Sequence, residues 1–249
     1  MVLKTYFTLS SLTSTSISIF VVLFFIIVLF LSSVIKTQNE KEFIIENLTT
    51  TTIKKEQNKK TLFFIGDSII NNKNYIANIN KSVPELLKQG FKDVKVIILA
   101  QDNATIQSVY SQIDNINKDE YKNCECIFCI SVGGNDMLEM IWSFSMNYQD
   151  VEFLFKRYIL LIKKIKKTFP KSKIYLLTLY YPTETIYQKY YDYIHFWNLL
   201  LEKNRISYGY NVVNINKYIG EEDDFTYSIE PSEIGGEKIT RALKENIKI

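Results

Sequence analysis

Three short polar motifs each follow an apolar run, and their residue types suit nucleophilic chemistry. The motifs are "GDS" at 66–68, "QDNATIQ" at 101–107 and "GGND" at 133–136. Ser68 offers a hydroxyl nucleophile, and Asn135 offers an amide N–H donor. Gly66 permits a tight turn before Asp67 and Ser68, and Gly133 leaves little side chain to block a site. Each motif alone is also an ordinary turn former.

A serine nucleophile needs a base to take its proton, and the sequence offers two candidates. One is His195, the chain's single histidine, in the helical stretch "YYDYIHFWNLL". The apolar stripe of that helix passes through Trp197 and Leu201, about 100° from His195, which predicts an exposed or boundary histidine. The other candidate is Glu230, which precedes Pro231 in "SIEPSEIGG" near the end of the chain.

The rest of the chain from residue 61 alternates apolar runs with amphipathic segments. The runs predict strands at 61–66, 94–100, 126–132, 173–179 and 211–215. The amphipathic segments predict helices at 82–89, 104–116, 151–168 and 185–203, and a last helix after Gly236. This alternation is typical of an α/β fold in which helices cover both faces of a five-stranded parallel sheet. The active sites of such sheets lie at the carboxyl ends of the strands, where the three motifs would converge.

The order and spacing of the motifs carry a family resemblance. Residues 61 to 248 resemble the SGNH/GDSL hydrolases, with "GDSI" as the first block, "LAQDNATIQSV" as the second and "GGND" as the third. The resemblance implies a flavodoxin-like α/β/α sandwich that hydrolyses carboxylic esters through an acyl-enzyme, without a metal or other cofactor. It implies Ser68 as the nucleophile and Asn135 as an oxyanion donor. Asn103 stands where the family usually has a glycine whose backbone N–H completes the oxyanion hole.

The last block departs from the family pattern. The family's Asp-x-x-His would place aspartate at Tyr227 and histidine at Glu230. Three interpretations stay open: Glu230 is the base, steered by Asp224 or Tyr227; His195 reaches the site; or the domain binds an acyl or glycan ligand without cleaving it. The pKa of an unperturbed glutamate lies about two units below that of imidazole, worth about 3 kcal/mol, but burial can raise it.

The N-terminal region predicts a membrane anchor. Residues 17–35 are nineteen positions without a charge, about the length that crosses a bilayer. This run is longer than the apolar region of a secretory signal, so it favours a single-pass anchor after a tail at 1–16. Residues 36–60 are polar and predict a linker, and the hydrolase-like domain spans 61–249. Lysines flank the run on both sides, so the sequence does not predict which side of the membrane the domain occupies.

Composition narrows the choice of partners. The net charge is +3 over 249 residues, and no basic stripe is interleaved with aromatic residues, so nucleic acid is not a predicted partner. Cys124, Cys126 and Cys129 lie in an apolar strand with no fourth metal ligand nearby, which predicts buried free thiols. The predicted ligand is an ester-bearing small molecule, lipid or glycan. The aromatic run at 180–193 could line an acyl pocket, stack on a sugar or belong to the core.

Overall fold

The computed structural model describes residues 14–57, 60–121, 124–142 and 146–249. The chain divides into an N-terminal unit that ends at Glu56 and a larger unit that runs from Gln57 to Ile249. The larger unit corresponds to the domain predicted from residue 61.

The N-terminal unit contains one long helix, α1 (Ser14–Gln57). The segment predicted as a polar linker is therefore helical as far as Gln57, since it contains no glycine or proline to end the helix. Residues 1–13 of the predicted tail lie outside the described residues. No helix in the described part of the chain combines the length and the apolar character needed to cross a membrane. The anchor at 17–35 stays a prediction.

The larger unit is built on a five-stranded parallel sheet, as the apolar runs predict. The strands are β1 (Lys60–Gly66), β2 (Lys95–Ile98), β3 (Glu125–Ser131), β4 (Lys173–Leu177) and β5 (Asn211–Val213). Their order across the sheet is β2-β1-β3-β4-β5, and every pairing is parallel. This is the strand order of flavodoxin-like sheets, in which ligands bind where the order reverses, here between β1 and β3.

Helices follow the strands along the chain. They are α2 (Val83–Gly90), α3 (Ile106–Asp114), α4 (Lys118–Tyr121), α5 (Gly134–Trp142), α6 (Tyr148–Thr168), α7 (Thr185–Gln188), α8 (Tyr191–Tyr208) and α9 (Glu233–Asn246). Helix α2 packs against α9, while α6 packs against both α3 and α8. A short antiparallel pair, β6 (Phe225–Thr226) and β7 (Glu230–Pro231), precedes α9.

Two helix boundaries differ from the prediction. The segment at 185–203 is divided into α7 and α8, which are separated around Tyr190. The last helix begins at Glu233 rather than after Gly236, because the Ser232 side chain accepts a hydrogen bond from the Gly235 N–H and caps it. Gly235 lies inside the helix, where an added Cβ would stand 2.1 Å from the Asp224 carbonyl oxygen. The glycine therefore permits a close backbone contact and does not precede the helix.

The cysteines lie where the sequence predicts. Cys126 and Cys129 are free thiols buried in β3, and Cys124 is a half-buried free thiol just before it. Burial raises the pKa of Cys126 to about 12, so this thiol stays protonated and packs as a small apolar side chain.

Candidate active site

The first site loop begins at Gly66, the last residue of β1. Its φ of +125° lies in the region that favours glycine, and an added Cβ would stand 1.8 Å from the Ser131 carbonyl oxygen. The Gln112 side chain holds this residue from both sides: the Gly66 N–H donates to Oε1 at 2.7 Å and Nε2 donates to the Gly66 carbonyl at 2.8 Å. Gly66 therefore brings β1 close against β3 and fixes the start of the turn that carries Ser68.

Ser68 lies in a tight turn directly after β1 and is 6% exposed. The N–H groups of Ile70 and Asn71 both donate to the Asp67 carbonyl, at 3.2 and 3.1 Å. A short 3₁₀ helix at 72–75 follows the turn. No α-helix begins directly after Ser68 in this described segment, so no helix N-terminus from the same turn favours negative charge at Ser68.

Asp67 braces the Ser68 turn with its carboxyl group. Its Oδ1 accepts hydrogen bonds from the Ser131 hydroxyl at 2.8 Å and from the Ile69 N–H at 3.2 Å. Burial raises the pKa of Asp67 to about 7, although the hydrogen bond from Ser131 acts in the opposite direction. These hydrogen bonds make Asp67 a structural support of the turn that carries Ser68.

Asn135 reaches the same site from the first turn of α5, the helix that follows β3. Gly133 precedes it with a φ of +111°, and a Cβ there would stand 2.6 Å from a ring carbon of Trp197. The Asn135 Nδ2 donates to the Ala104 carbonyl at 3.0 Å, which uses one of its two N–H donors. Asn135 and Ser68 line the same cavity, and their roles as oxyanion donor and nucleophile stay predictions.

Asn103 adopts a glycine-like backbone conformation. Its φ is +57°, in the left-handed region that asparagine tolerates better than most residues. Within the described residues its backbone N–H has no acceptor, while the adjacent Ala104 carbonyl is bound by Asn135. The Asn103 side chain is exposed, and the residue does not line the cavity of Ser68. The structure thus brings Ser68 and Asn135 together and leaves Asn103 beside them.

Glu230 faces Ser68 from the β6–β7 hairpin, and both residues line the cavity. Burial raises the pKa of Glu230, the Ser68 hydroxyl lowers it by hydrogen bonding, and the nearby charge of Asp102 raises it. The Glu230 Oε2 atom is buried and has no hydrogen-bond partner among the described residues. Glu230 therefore has the burial and the neighbour expected of a base for Ser68.

The loop that carries Glu230 is held by Asn72 and Tyr180, which are not among the predicted catalytic residues. Asn72 is fully buried, and its Nδ2 donates to the Pro231 carbonyl at 3.1 Å and the Ser232 carbonyl at 3.4 Å. Its Oδ1 accepts from the Val83 N–H at 2.8 Å. The Tyr180 hydroxyl donates to the Ile229 carbonyl at 2.5 Å. One asparagine in a polar stretch carries no local signal of contacts with residues so distant in the chain.

Asp224 and Tyr227, the two residues predicted to steer Glu230, have other contacts in the structure. Asp224 is buried. Its carboxylate accepts hydrogen bonds from the N–H groups of Gly220 and Glu221 at 2.9 and 3.0 Å and forms an ion pair with Lys238 at 2.7 Å. Burial acts to raise the pKa of Asp224, but the hydrogen bond from Lys238 and these N–H groups outweigh it and lower the value. Asp224 thus stabilises the turn before β6.

Tyr227 also departs from its predicted position. Its side chain is 73% exposed at the tip of the β6–β7 hairpin, with a φ of +45°. Its ring lies edge-on to Tyr75, with the centroids 5.8 Å apart. Because Tyr227 points to solvent, an exposed residue occupies the position that aspartate takes in the family.

His195 does not line the Ser68 cavity. It is exposed on α8, where its Nδ1 lies 3.4 Å from the Tyr181 hydroxyl, while Trp197 and Leu201 are buried. The helical periodicity correctly predicted this position. The neighbouring Ile194 lines the cavity in its place.

The cavity itself is mostly apolar. It encloses about 650 Å³ of space outside the protein atoms, including its opening to solvent. Beyond Ser68, Gly134, Asn135 and the two carboxylates, its walls are formed by aliphatic, methionine and aromatic side chains with one proline. They are Ile69, Met137, Leu138, Ile141, Met146, Leu179, Tyr180, Pro182, Tyr187, Tyr190, Ile194 and Ile229. The aromatic run at 180–193 therefore contributes three tyrosines to this cavity.

The strand order, with a serine at the end of the first strand, defines an α/β domain that known structures share. The lipase Lip_vut3 from a goat rumen metagenome is 15% identical, with a TM-score of 0.63 over 75% of this chain and 97% of that chain. A G-D-S-L family lipolytic protein from Veillonella parvula is 13% identical, with a TM-score of 0.57 over 76% and 98%. Phospholipase A1 from Streptomyces albidoflavus is 13% identical, with a TM-score of 0.57 over 75% of this chain and 99% of that chain.

The domain therefore has the fold of the SGNH/GDSL hydrolases, as the resemblance of its motifs implies. No family model matches the sequence, and no curated protein matches it.

Proposed function

We propose that the chain is a serine-type ester hydrolase in which Glu230 replaces the family's histidine as the general base. The observation that carries the proposal is the pairing, in one cavity, of Ser68 with a half-buried glutamate whose Oε2 atom is buried. Burial raises the pKa of Glu230, which brings a carboxylate closer to the basicity of an imidazole. The fold of the lipolytic neighbours supports the same reaction class.

The reaction runs through an acyl-enzyme. The Ser68 oxygen attacks the ester carbonyl carbon while the Glu230 carboxylate takes the hydroxyl proton. The Asn135 amide stabilises the negative charge on the carbonyl oxygen. The protonated Glu230 then gives its proton to the departing alkoxide. Water repeats the same steps on the acyl-enzyme, releasing the acid and restoring the Ser68 hydroxyl.

We also propose that residues 17–35 keep this domain at a membrane, with an ester-bearing small molecule, lipid or glycan as the substrate. The uncharged length of the segment supports this location. The cavity has room for a substrate beside Ser68.

A serine-reactive fluorophosphonate probe tests the nucleophile. The full-length protein is expected to be labelled at Ser68, because a hydroxyl whose proton can pass to a base attacks phosphorus readily. Mass spectrometry of the labelled peptide identifies the site. Ser68→Ala should abolish labelling, whereas Ser111→Ala, which changes an exposed serine on α3, should leave it intact. Absence of labelling in a folded parent protein would favour a domain that binds its ligand without cleaving it.

The activity is expected to rise with pH through the pKa of Glu230, which burial and the charge of Asp102 raise. Only the ionised carboxylate accepts the Ser68 proton, so acid lowers kcat/KM. Asp67 lines the same cavity, and its pKa, raised to about 7 mainly by burial and in lesser part by the charge of Glu230, adds a second titrating carboxyl near Ser68. Asp102→Asn should move the inflection to lower pH, and His195→Gln should not move it. An inflection that disappears in the His195→Gln protein would assign the base to histidine.

A further inference from the structure

The cavity beside Ser68 has a defined apolar part, and we propose that it binds the acyl chain of the substrate. The site then selects esters of medium-length fatty acids, about six to eight carbons, over acetyl esters. This inference rests on the proposed ester hydrolysis and names the class of acyl group that the same site takes.

Helix α5 joins the proposed oxyanion donor to the apolar wall. Asn135 lies in its first turn, and Leu138 and Ile141 follow at spacings of three residues. All three residues line the cavity. Side chains at these spacings lie on neighbouring parts of one helix face, so a carbonyl group held at Asn135 would have its alkyl chain running along α5 towards Ile141.

The opposite wall comes from α7 and α8. Tyr187 of α7, Ile194 of α8 and Tyr190 between the two helices line the cavity. Met146, just before α6, and Met137 add flexible side chains that can adjust to a bound chain. An alkyl group between the two walls would contact apolar carbon along most of its length.

The length of the α5 wall sets the length of the chain. From Asn135 to Ile141 the helix rises about 9 Å, close to the length of an extended acyl chain of about six to eight carbons. An acetyl group would end near Asn135 and leave the Leu138 and Ile141 side chains without a partner.

The carboxylate and amide groups that line the cavity come from three residues, Asp67, Asn135 and Glu230. Ser68, Glu230 and Asn135 are the groups proposed to act on the ester, and Asp67 braces the Ser68 turn. Leu138, Ile141 and Ile194 offer no hydrogen bond to a sugar hydroxyl. The apolar part therefore fits the acyl side of the ester, and the alcohol side remains towards Glu230.

A series of p-nitrophenyl esters from acetate to decanoate tests the chain length in the full-length protein. We expect kcat/KM to peak at hexanoate or octanoate, at least about tenfold above acetate, because each buried methylene adds to transition-state binding. Ile141→Trp should move the peak to butyrate, and Leu138→Trp should leave acetate as the best substrate. Leu160→Trp, at a 57% exposed position on α6, is the matched control and should keep the parent's peak.

Binding of amides to the Ser68→Ala protein tests the same site without turnover. Octanamide is expected to bind at least about tenfold more tightly than acetamide, and Ile141→Trp should remove the difference. Equal binding of the two amides would overturn the acyl-chain site whether or not any ester is cleaved. If acetate is hydrolysed through Ser68 with no dependence on chain length, the proposed function stands and the acyl-chain site falls. If no ester is cleaved but octanamide binds preferentially, the site stands and the proposed hydrolysis falls.

Discussion

Glu230→Gln is expected to lower kcat for a short-chain aryl ester by about 10²- to 10⁴-fold, the usual contribution of a general base. The glutamine amide fills the same space but cannot take the Ser68 proton. Because the base acts in the chemical step, KM should change little. Steady-state kinetics on the full-length protein measures both parameters.

The same substitution is expected to leave the fold intact. The pKa of Glu230 is raised by burial, so the ionised carboxylate costs stability at neutral pH, and removing its charge removes that cost. Thermal unfolding followed by circular dichroism should show a neutral-pH variant no less stable than its parent. Glu237→Gln, at an exposed position on α9, is the matched control for activity. A Glu230→Gln enzyme as fast as the parent would eliminate Glu230 as the base.

Gly66→Ala is expected to destabilise the domain by about 3 kcal/mol or more, the cost typical of a strongly strained backbone combined with a steric clash. The alanine Cβ would stand 1.8 Å from the Ser131 carbonyl oxygen, and the residue would keep a φ of +125° that alanine rarely adopts. Relief would require β1 and β3 to separate at the point where Ser68 begins its turn.

Gly220→Ala is the matched control for this prediction. No atom lies within 4 Å of its added Cβ, so its effect should stay within about 0.5 kcal/mol of neutral or be slightly stabilising. Urea unfolding of both variants gives the comparison. A Gly66→Ala protein as stable as Gly220→Ala would show that the contact between β1 and β3 is not as close as the structure has it.

The sheet could be predicted because its strands are continuous apolar runs, and such runs predict buried parallel strands. The convergence of Ser68 with Asn135 followed, because the carboxyl ends of parallel strands share one edge of the sheet. Helical periodicity alone predicted His195 as an exposed or boundary residue, although it left open whether His195 reaches the site. These results depend on local patterns that the sequence displays directly.

The rest depends on contacts between distant parts of the chain. Asp224 resembles a steering carboxylate in sequence, but its buried pair with Lys238 makes it part of the turn. Gly235 resembles a helix stop, and only its close approach to the Asp224 carbonyl shows that it belongs inside α9. The sequence does not predict whether the Tyr227 side chain faces the site or the solvent, because that depends on the conformation of the hairpin.

Asn72 has an evolutionary consequence for the residue at position 230. The Asn72 side chain donates hydrogen bonds to the carbonyl oxygens of Pro231 and Ser232, while the Tyr180 hydroxyl donates to the carbonyl of Ile229. None of these bonds uses the side chain of Glu230. Histidine and glutamate could therefore replace each other at this position during evolution without a change in the loop conformation. The group that transfers the proton can then change while the backbone stays the same. The conformation of the loop therefore does not depend on which side chain stands at position 230.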